Sequence, residues 1–400
     1  MSKPSLVVAG VLAFGAGCGG GGSHNTAPDA EVDATPVDAA FAPAPHGAQP
    51  KAVTLGGPVL TAPLVVPIFF TGDDTMQAQV EGFLAALPGS AYWHATTSEY
   101  GIGDIAIAAS IVSSAAPPTT DAALQTFITT NIGTNGWPAN TPNTIYTVFL
   151  PDGVVLSSNF GTSCNDFGGY HSETQTGSVV YALLPRCTSG VLSGLTPALS
   201  HELIEASSDP LFSSNPAYQT TDDMHAIWGI APGGELGDMC EFVHSAFQIL
   251  VGNDLVQRTW SNAAAAAGHD PCVPELPATP YLGAEPVLPE QLPFEDVEGN
   301  SITTPGVTIV NGASATIEVD LFSDSPAADW TVQAIDADHQ FYRSQPELAF
   351  TWDHTTGNNG SKLNLTIQRT ADGDGGGSIL LIESTVDGHS VSEWWGYVAQ

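Results

Sequence analysis

The sequence predicts an α+β domain followed by an all-β sandwich, and three observations predict it. Between residues 53 and 276, short apolar runs alternate with stretches of helical spacing. Residues 277–298 then form a proline-rich break (PELPATP, EPVLPEQLP) that reads as a linker. From 299 to 400, apolar residues recur at every second position between turn clusters. With 42% hydrophobic and only 12% charged residues, the 400-residue chain has enough apolar side chain for two cores.

LVVPIFF (Leu64 to Phe70) is a β-branched apolar run and predicts a buried strand. Asp73 to Leu87 follows with Met76, Val80, Phe83, Leu84 and Leu87 at helical spacing, and Pro88-Gly89 stops it. Asp104 to Val112 reads as a strand, Asp121 to Ile132 as a helix and Ile145 to Leu150 as a third strand. Cys164 to Thr176 is polar, glycine-rich and aromatic, and reads as a loop, with a further strand at Ser178 to Leu184. In LSGLTPALSHELIEASSDP, Thr196 reads as an N-cap, Pro197 as the first helical residue and Asp209-Pro210 as the stop. After the linker, Ala315, Ile317, Val319 and Leu321, then Leu363, Leu365 and Ile367, alternate between turns such as TTGNNG and ADGDGGG. Roughly seven short strands there predict an antiparallel sandwich of immunoglobulin-like type.

The start of the chain predicts export. Lys3 precedes an apolar run from Leu6 to Phe14, too short to span a bilayer, so residues 1–17 read as a signal peptide. Cys18 after Ala16-Gly17 resembles a bacterial lipobox and predicts a lipid anchor in the membrane, with Gly15 where such boxes carry a large aliphatic residue. Residues 18–52, rich in Gly, Ala, Pro and Asp, predict a disordered tether. The expected location is the bacterial cell envelope.

Charge excludes one class of partner. Seven Lys+Arg stand against 42 Asp+Glu, giving a net charge of -35 and a pI near 4.1, which a phosphate backbone would repel. No nucleic-acid partner is expected. Beyond Cys18 there are four cysteines, which an oxidising compartment would pair. The shortest loops join Cys164 to Cys187 and Cys240 to Cys272.

The chemistry concentrates in His201-Glu202-Leu203-Ile204-Glu205, an H-E-x-x-E motif on the best-signalled helix. Residues four apart share a helical face, so His201 and Glu205 can hold one cation while Glu202 flanks it and takes a proton from its bound water. That is the logic of zinc peptidases with H-E-x-x-H, the second His being replaced by a carboxylate. The strand Val179 to Leu184 precedes this helix as a peptide-pairing edge strand would. Downstream, GGELGDMCE (Gly233 to Glu241) offers carboxylates on a flexible loop pinned by Cys240.

GGPVLTAPLVVPIFFTGD, AYWHATTSEYG, SHELIEASSDP, GGELGDMCE, VQRTWSN and HDPC together resemble bacterial secreted proteins with a zincin-like core. They are also distantly similar to the plant exordium (phosphate-induced) proteins. The resemblance runs from about Leu55 to Pro274, with SHELIEASSDP and GELGDMC its specific part. It implies a zincin-like, metallopeptidase-like fold, a zinc ion (Zn2+) on His201 and Glu205, Asp238 as the distal ligand and Glu202 as the catalytic base. Leu211 stands where metzincins carry a third His.

Alternatives stay open at this point. Glu235 and Asp209 compete with Asp238 as third ligand. His171 and Tyr170 sit before the presumed edge strand, where they could stabilise an oxyanion. His269-Asp270 reads as a turn, His225 and His244 as ordinary polar residues, and Asp372 and Asp374 as a tight turn without the Glu a calcium loop needs. No G-x-S-x-G elbow supports serine catalysis. Two functions are expected: a surface-tethered zinc hydrolase acting on a protein or peptide substrate, or a non-catalytic adhesion protein binding a cell-envelope component.

Overall fold

Leu64–Phe70 (β1) is apolar at almost every position and lies in the middle of a sheet buried on both faces, where a parallel strand has no polar side to show. Ala106–Ile107 (β2) and Ile111–Ser113 (β3) both pair with β1 in parallel, so the single strand expected over 104–112 is two short pieces with a break between them. Thr144–Phe149 (β4) pairs on the other side of β1, and Val180–Leu184 (β6) pairs with β4, again in parallel. Tyr170–Glu173 (β5) closes the sheet antiparallel to β6, giving the order β2-β1-β4-β6-β5. The edge strand is therefore β5, inside the segment expected to be a loop, and Val180–Leu184 is interior. The structure is a computed structural model. It describes residues 41–134, 136–175, 178–187, 192–296, 299–342, 345–372 and 377–400. The expected signal peptide, Cys18, the spacer up to residue 40 and Asp374 lie outside the described residues.

Helices cover both faces of this sheet. Asp74–Ala86 (α1) buries Met76, Val80, Phe83 and Leu84, the spacing read from the sequence. Ala91–Thr97 (α2) is capped by the Ser90 hydroxyl, which accepts from the Trp93 amide. Asp121–Asn131 (α3) is capped likewise by Thr120, and its Leu124 and Ile128 face Val66, Ile68, Tyr146 and Val148. On the opposite face, Val65, Phe69, Ile145, Phe149 and Ala182 pack with α1, α2 and the motif helix Thr196–Ser208 (α4). Thr196 is thus the first helical residue of α4 and not its cap; Leu195 flanks it without a side-chain bond, and Pro197 sits in the first turn, where its missing amide costs nothing.

Among the described residues, the C-terminal part contains two sheets. Leu282–Pro286 (β7), Ser314–Ser323 (β10), Leu348–Trp352 (β12) and Lys362–Arg369 (β14) form one, in the order β7-β10-β14-β12. Glu290–Glu295 (β8), Ser301–Thr308 (β9), Trp330–Asp336 (β11), Thr356–Gly357 (β13), Gly377–Val386 (β15) and His389–Ala399 (β16) form the other, in the order β8-β9-β16-β15-β11-β13. Every pairing is antiparallel except β9 with β16. The alternation at 315–321 and 363–367 sits on β10 and β14, which pair directly. Residues 277–298, expected as a linker, instead supply two strands, β7 and β8. Both are edge strands, the one place in a sheet where Pro286 and Pro293 lose no ladder bond.

One apolar cluster runs from the N-terminal sheet through Trp228, Trp260 and Val243 into Trp394, Trp395, Phe322 and Val319. Phe242 packs edge-on against Trp395 and Trp228 against Trp394, so the two parts share a core. The last residues of the expected tether join them too: the Ala44 amide donates to Asn359, His46 stacks on Phe322, and Ala52–Thr54 pairs with Tyr218–Thr221. Disorder through residue 52 is thereby corrected, since Ala42, Ala44, His46, Gly47, Gln49, Lys51 and Ala52 have partners elsewhere in the chain. Both expected disulfides are present, Cys164–Cys187 and Cys240–Cys272. They mark an exported or extracellular chain. Among the described residues, no helix is long and apolar enough to cross a membrane.

Candidate metal centre

Helix α4 is buried on nearly every side, which an ordinary surface helix carrying two Glu and a His would not be. Leu199, Leu203, Ile204 and Ala206 serve the core, while His201, Glu202 and Glu205 face the loop Gly233 to Glu241 and the edge strand β5. That loop is held by Cys240–Cys272, and Cys272 sits on a short strand paired with Thr259–Trp260. Closing its 32-residue span removes denatured-state entropy worth about 3–4 kcal/mol.

His201, Glu205 and Asp238 come together as expected: one ligand atom from each lies within 4.8 Å of the others. His201 Nε2 is 2.9 Å from Glu205 Oε2 and 3.5 Å from Asp238 Oδ1. Glu205 Oε1 accepts the amides of Gly237 and Asp238, each at 3.1 Å, so Oε2 is the oxygen left for a cation. Gly237 has to be glycine, because a Cβ there would stand 2.6 Å from His201 Nδ1 and 2.7 Å from Glu205 Oε1. The other nitrogen of His201, Nδ1, lies 3.1 Å from Gln257 Oε1, and Gln257 Nε2 donates to the Gly237 carbonyl at 2.7 Å. A ligand histidine is usually held this way, one ring nitrogen at the ion and the other in an outer hydrogen bond that fixes its tautomer.

Three residues join that the motif alone did not assign: His171, Asp209 and Glu235. His171, on β5, places Nδ1 3.6 Å from both Glu202 Oε2 and Glu205 Oε2, and these three form a second triad within 4.8 Å. Its Nε2 is 3.2 Å from the Asp209 carbonyl and 3.5 Å from Glu235 Oε1. Asp209 contributes through its backbone; its carboxylate accepts the Ala217 amide at 2.6 Å and secures the chain after α4. The only advance signal for His171 was its place beside the strand that leads into the motif helix.

The remaining candidates lie elsewhere. His269 pairs with Asp324 and Asp270 with the buried Arg258, His225 pairs with Asp222, and His244 stacks on His389. Tyr170 donates to Asp121 on α3 and has no part in the site.

Electrostatically the site is a cluster of buried acids. Burial, then the neighbouring Glu205, push the carboxyls of Glu235 and Asp238 well above the usual range. Burial also raises Glu202. Burial works against both histidines, yet the surrounding carboxylates overcome it and raise His171 and His201 well above their ordinary value. Glu205 goes the other way: burial opposes its charge, but His201 and His171 hold it down at about 2. Glu235 Oε1, Asp238 Oδ2 and Asp209 Oδ2 are buried without a hydrogen bond. Buried carboxylate oxygens without hydrogen bonds beside two oriented imidazoles fit a divalent cation, which would supply positive charge there.

No family model and no curated protein matches the chain. Among solved structures it is similar over short stretches to a Bacteroides ovatus GH5 xyloglucanase in complex with a XXXG heptasaccharide, at 16% identity and a TM-score of 0.15. It is similar also to domains 4-9 of the surface layer protein SbsC, at 13% identity and a TM-score of 0.18. The aligned parts cover 24% and 36% of this chain, and the chain spans only 16% and 24% of those two structures. Likenesses this slight carry no argument about fold or function.

Proposed function

We propose that the chain is a metal-dependent hydrolase of the cell envelope, acting on peptides, with a zincin-like N-terminal part and an immunoglobulin-like sandwich after it. The observation that carries this reading is the meeting of His201, Glu205 and Asp238 around one point, with Glu202 on the same helix beside it. A zinc ion held there would supply a polarised water whose pKa falls towards about 7. Glu202 is raised by burial and so suited to accept that water's proton and pass it to a leaving amine. Gln257 and Gly237 keep His201 and Glu205 aimed. The edge strand β5 offers a main-chain ladder along which an extended peptide could lie. Export, with a lipid anchor at Cys18, completes the reading and agrees with the two disulfides.

A second reading is favoured by one observation. Every site side chain is 7% exposed or less, as in a closed structural metal site, and a non-catalytic adhesion protein would need nothing more. Elemental analysis and peptide hydrolysis on one preparation separate the two. The hydrolase reading expects zinc in the parent, its loss in His201→Ala, and a fall in hydrolysis of about 10²–10⁴-fold in Glu202→Gln with the His201 ion retained. Full metal with no hydrolysis across a broad peptide library would leave the adhesion reading standing.

A further inference from the structure

We propose that the site holds two divalent cations, with Glu205 Oε2 as their shared ligand. The proposal rests on the metal reading of His201, Glu205 and Asp238 and extends it to a second triad, His171, Glu202 and Glu205. Glu205 Oε1 is committed to two backbone amides, so Oε2 alone faces outward, and both histidines approach that same atom. His201 Nε2 lies 2.9 Å from it on one side and His171 Nδ1 3.6 Å on the other. Each ring has its second nitrogen engaged, His201 with Gln257 and His171 with the Asp209 carbonyl, so each is set as a ligand histidine with its own outer partner. One ion accounts for one of these poses and leaves the other unexplained.

Charge points the same way. Glu202, Glu205, Asp209, Glu235 and Asp238 are five buried carboxylates, and among the described residues none forms an ion pair with a lysine or arginine. As metal ligands the histidines are neutral. With these five ionised, one divalent ion would offset two of the negative charges in a buried space, whereas two ions would offset four. Glu235 supplies an independent sign: its Oε1 is buried without a hydrogen bond and lies 3.5 Å from His171 Nε2, close enough to share with the Asp209 carbonyl in holding the ring of a ligand histidine. In this arrangement Glu202 binds the second ion through Oε2. Its Oε1, against which Gly169 packs too closely to carry a Cβ, keeps the proton-accepting role.

The test uses the full chain, stripped with a chelator and titrated with Mn2+ under equilibrium dialysis and electron paramagnetic resonance. The parent should take up two equivalents and show an exchange-coupled spectrum, because ions sharing an oxygen in two-metal sites sit about 3.5–4 Å apart. His171→Gln should bind one equivalent and give the six-line spectrum of an isolated ion. Should that variant fail to fold, as judged by near-ultraviolet circular dichroism, Glu235→Gln serves instead. It should weaken only the second equivalent, by about 10–100-fold, the usual effect of losing an outer partner. A parent that saturates at one equivalent overturns the second ion and leaves the hydrolase reading intact; a parent that binds none overturns both. Two full-affinity equivalents in both variants would also overturn the proposal, since the second ion would then lie away from His171.

Discussion

Two buried charged clusters in this molecule are handled in opposite ways. In the C-terminal part, Arg369 is fully buried, yet its guanidinium donates to the carbonyls of Ile309 and Val398 and to the Ser378 hydroxyl, at 2.7–2.8 Å. Ser378 in turn donates to Glu347, so the charge is matched by the chain's own groups. Around α4, Glu202, Glu205, Asp209, Glu235 and Asp238 are buried, their ion-pair partners among the described residues are two imidazoles, and three of their oxygens lack hydrogen bonds. The first cluster is complete as folded. The second is not matched by the chain's own lysines or arginines among the described residues, the difference expected between a structural network and a binding site.

The comparison can be broken at either end. Arg369→Met should destabilise the chain by about 3–5 kcal/mol, because removing one partner leaves Glu347 and two carbonyls buried and unmatched; urea unfolding measures this, and zinc content should not change. Removing metal should act on the other cluster alone. At a thousandfold excess of zinc over Kd an ion contributes about 4 kcal/mol, so a chelator should lower the melting temperature of the parent and lower that of His201→Ala by clearly less.

How much of this could be read from the sequence depends on how local each signal was. That His201 and Glu205 would stand together was legible because four residues on a helix is a fixed geometry; Asp238 came only from the resemblance, with Glu235 and Asp209 left open beside it. His171 was not legible as a ligand. It lies thirty residues upstream on the strand YHSE, whose polar composition carries no strand signal and whose pairing with β6 is a tertiary fact. The strands at 282–286 and 290–295 were hidden for a different reason. Proline counts against a strand, and only a position at the sheet edge removes the objection.

Smaller effects sharpen the contrast. Gln257→Leu removes the partner of His201 Nδ1 without touching a ligand atom and should weaken zinc binding by about 10–100-fold in a competition titration. Dependence on pH should change sign with metal. Without an ion, burial raises Glu235 and Asp238, so the stability they contribute is present when they are protonated and is lost as the pH rises through their raised values. The two histidines, also raised, lose their contribution in the same direction. Glu205, held near 2, loses its contribution only as the pH falls from the ordinary carboxyl range towards that value. The chelated protein should therefore melt higher at pH 5 than at pH 8. With zinc present the order should reverse, since the ion competes with those same protons.

The central claim is that a cation from outside the chain balances the acids around α4. Anomalous diffraction at the zinc edge, from crystals grown with zinc near neutral pH, tests it most directly. The account predicts a peak about 2.0–2.2 Å from both His201 Nε2 and Glu205 Oε2. Crystals that show no peak there, with His201 Nε2 and Glu205 Oε2 keeping the direct 2.9 Å contact in the presence of zinc, would contradict it.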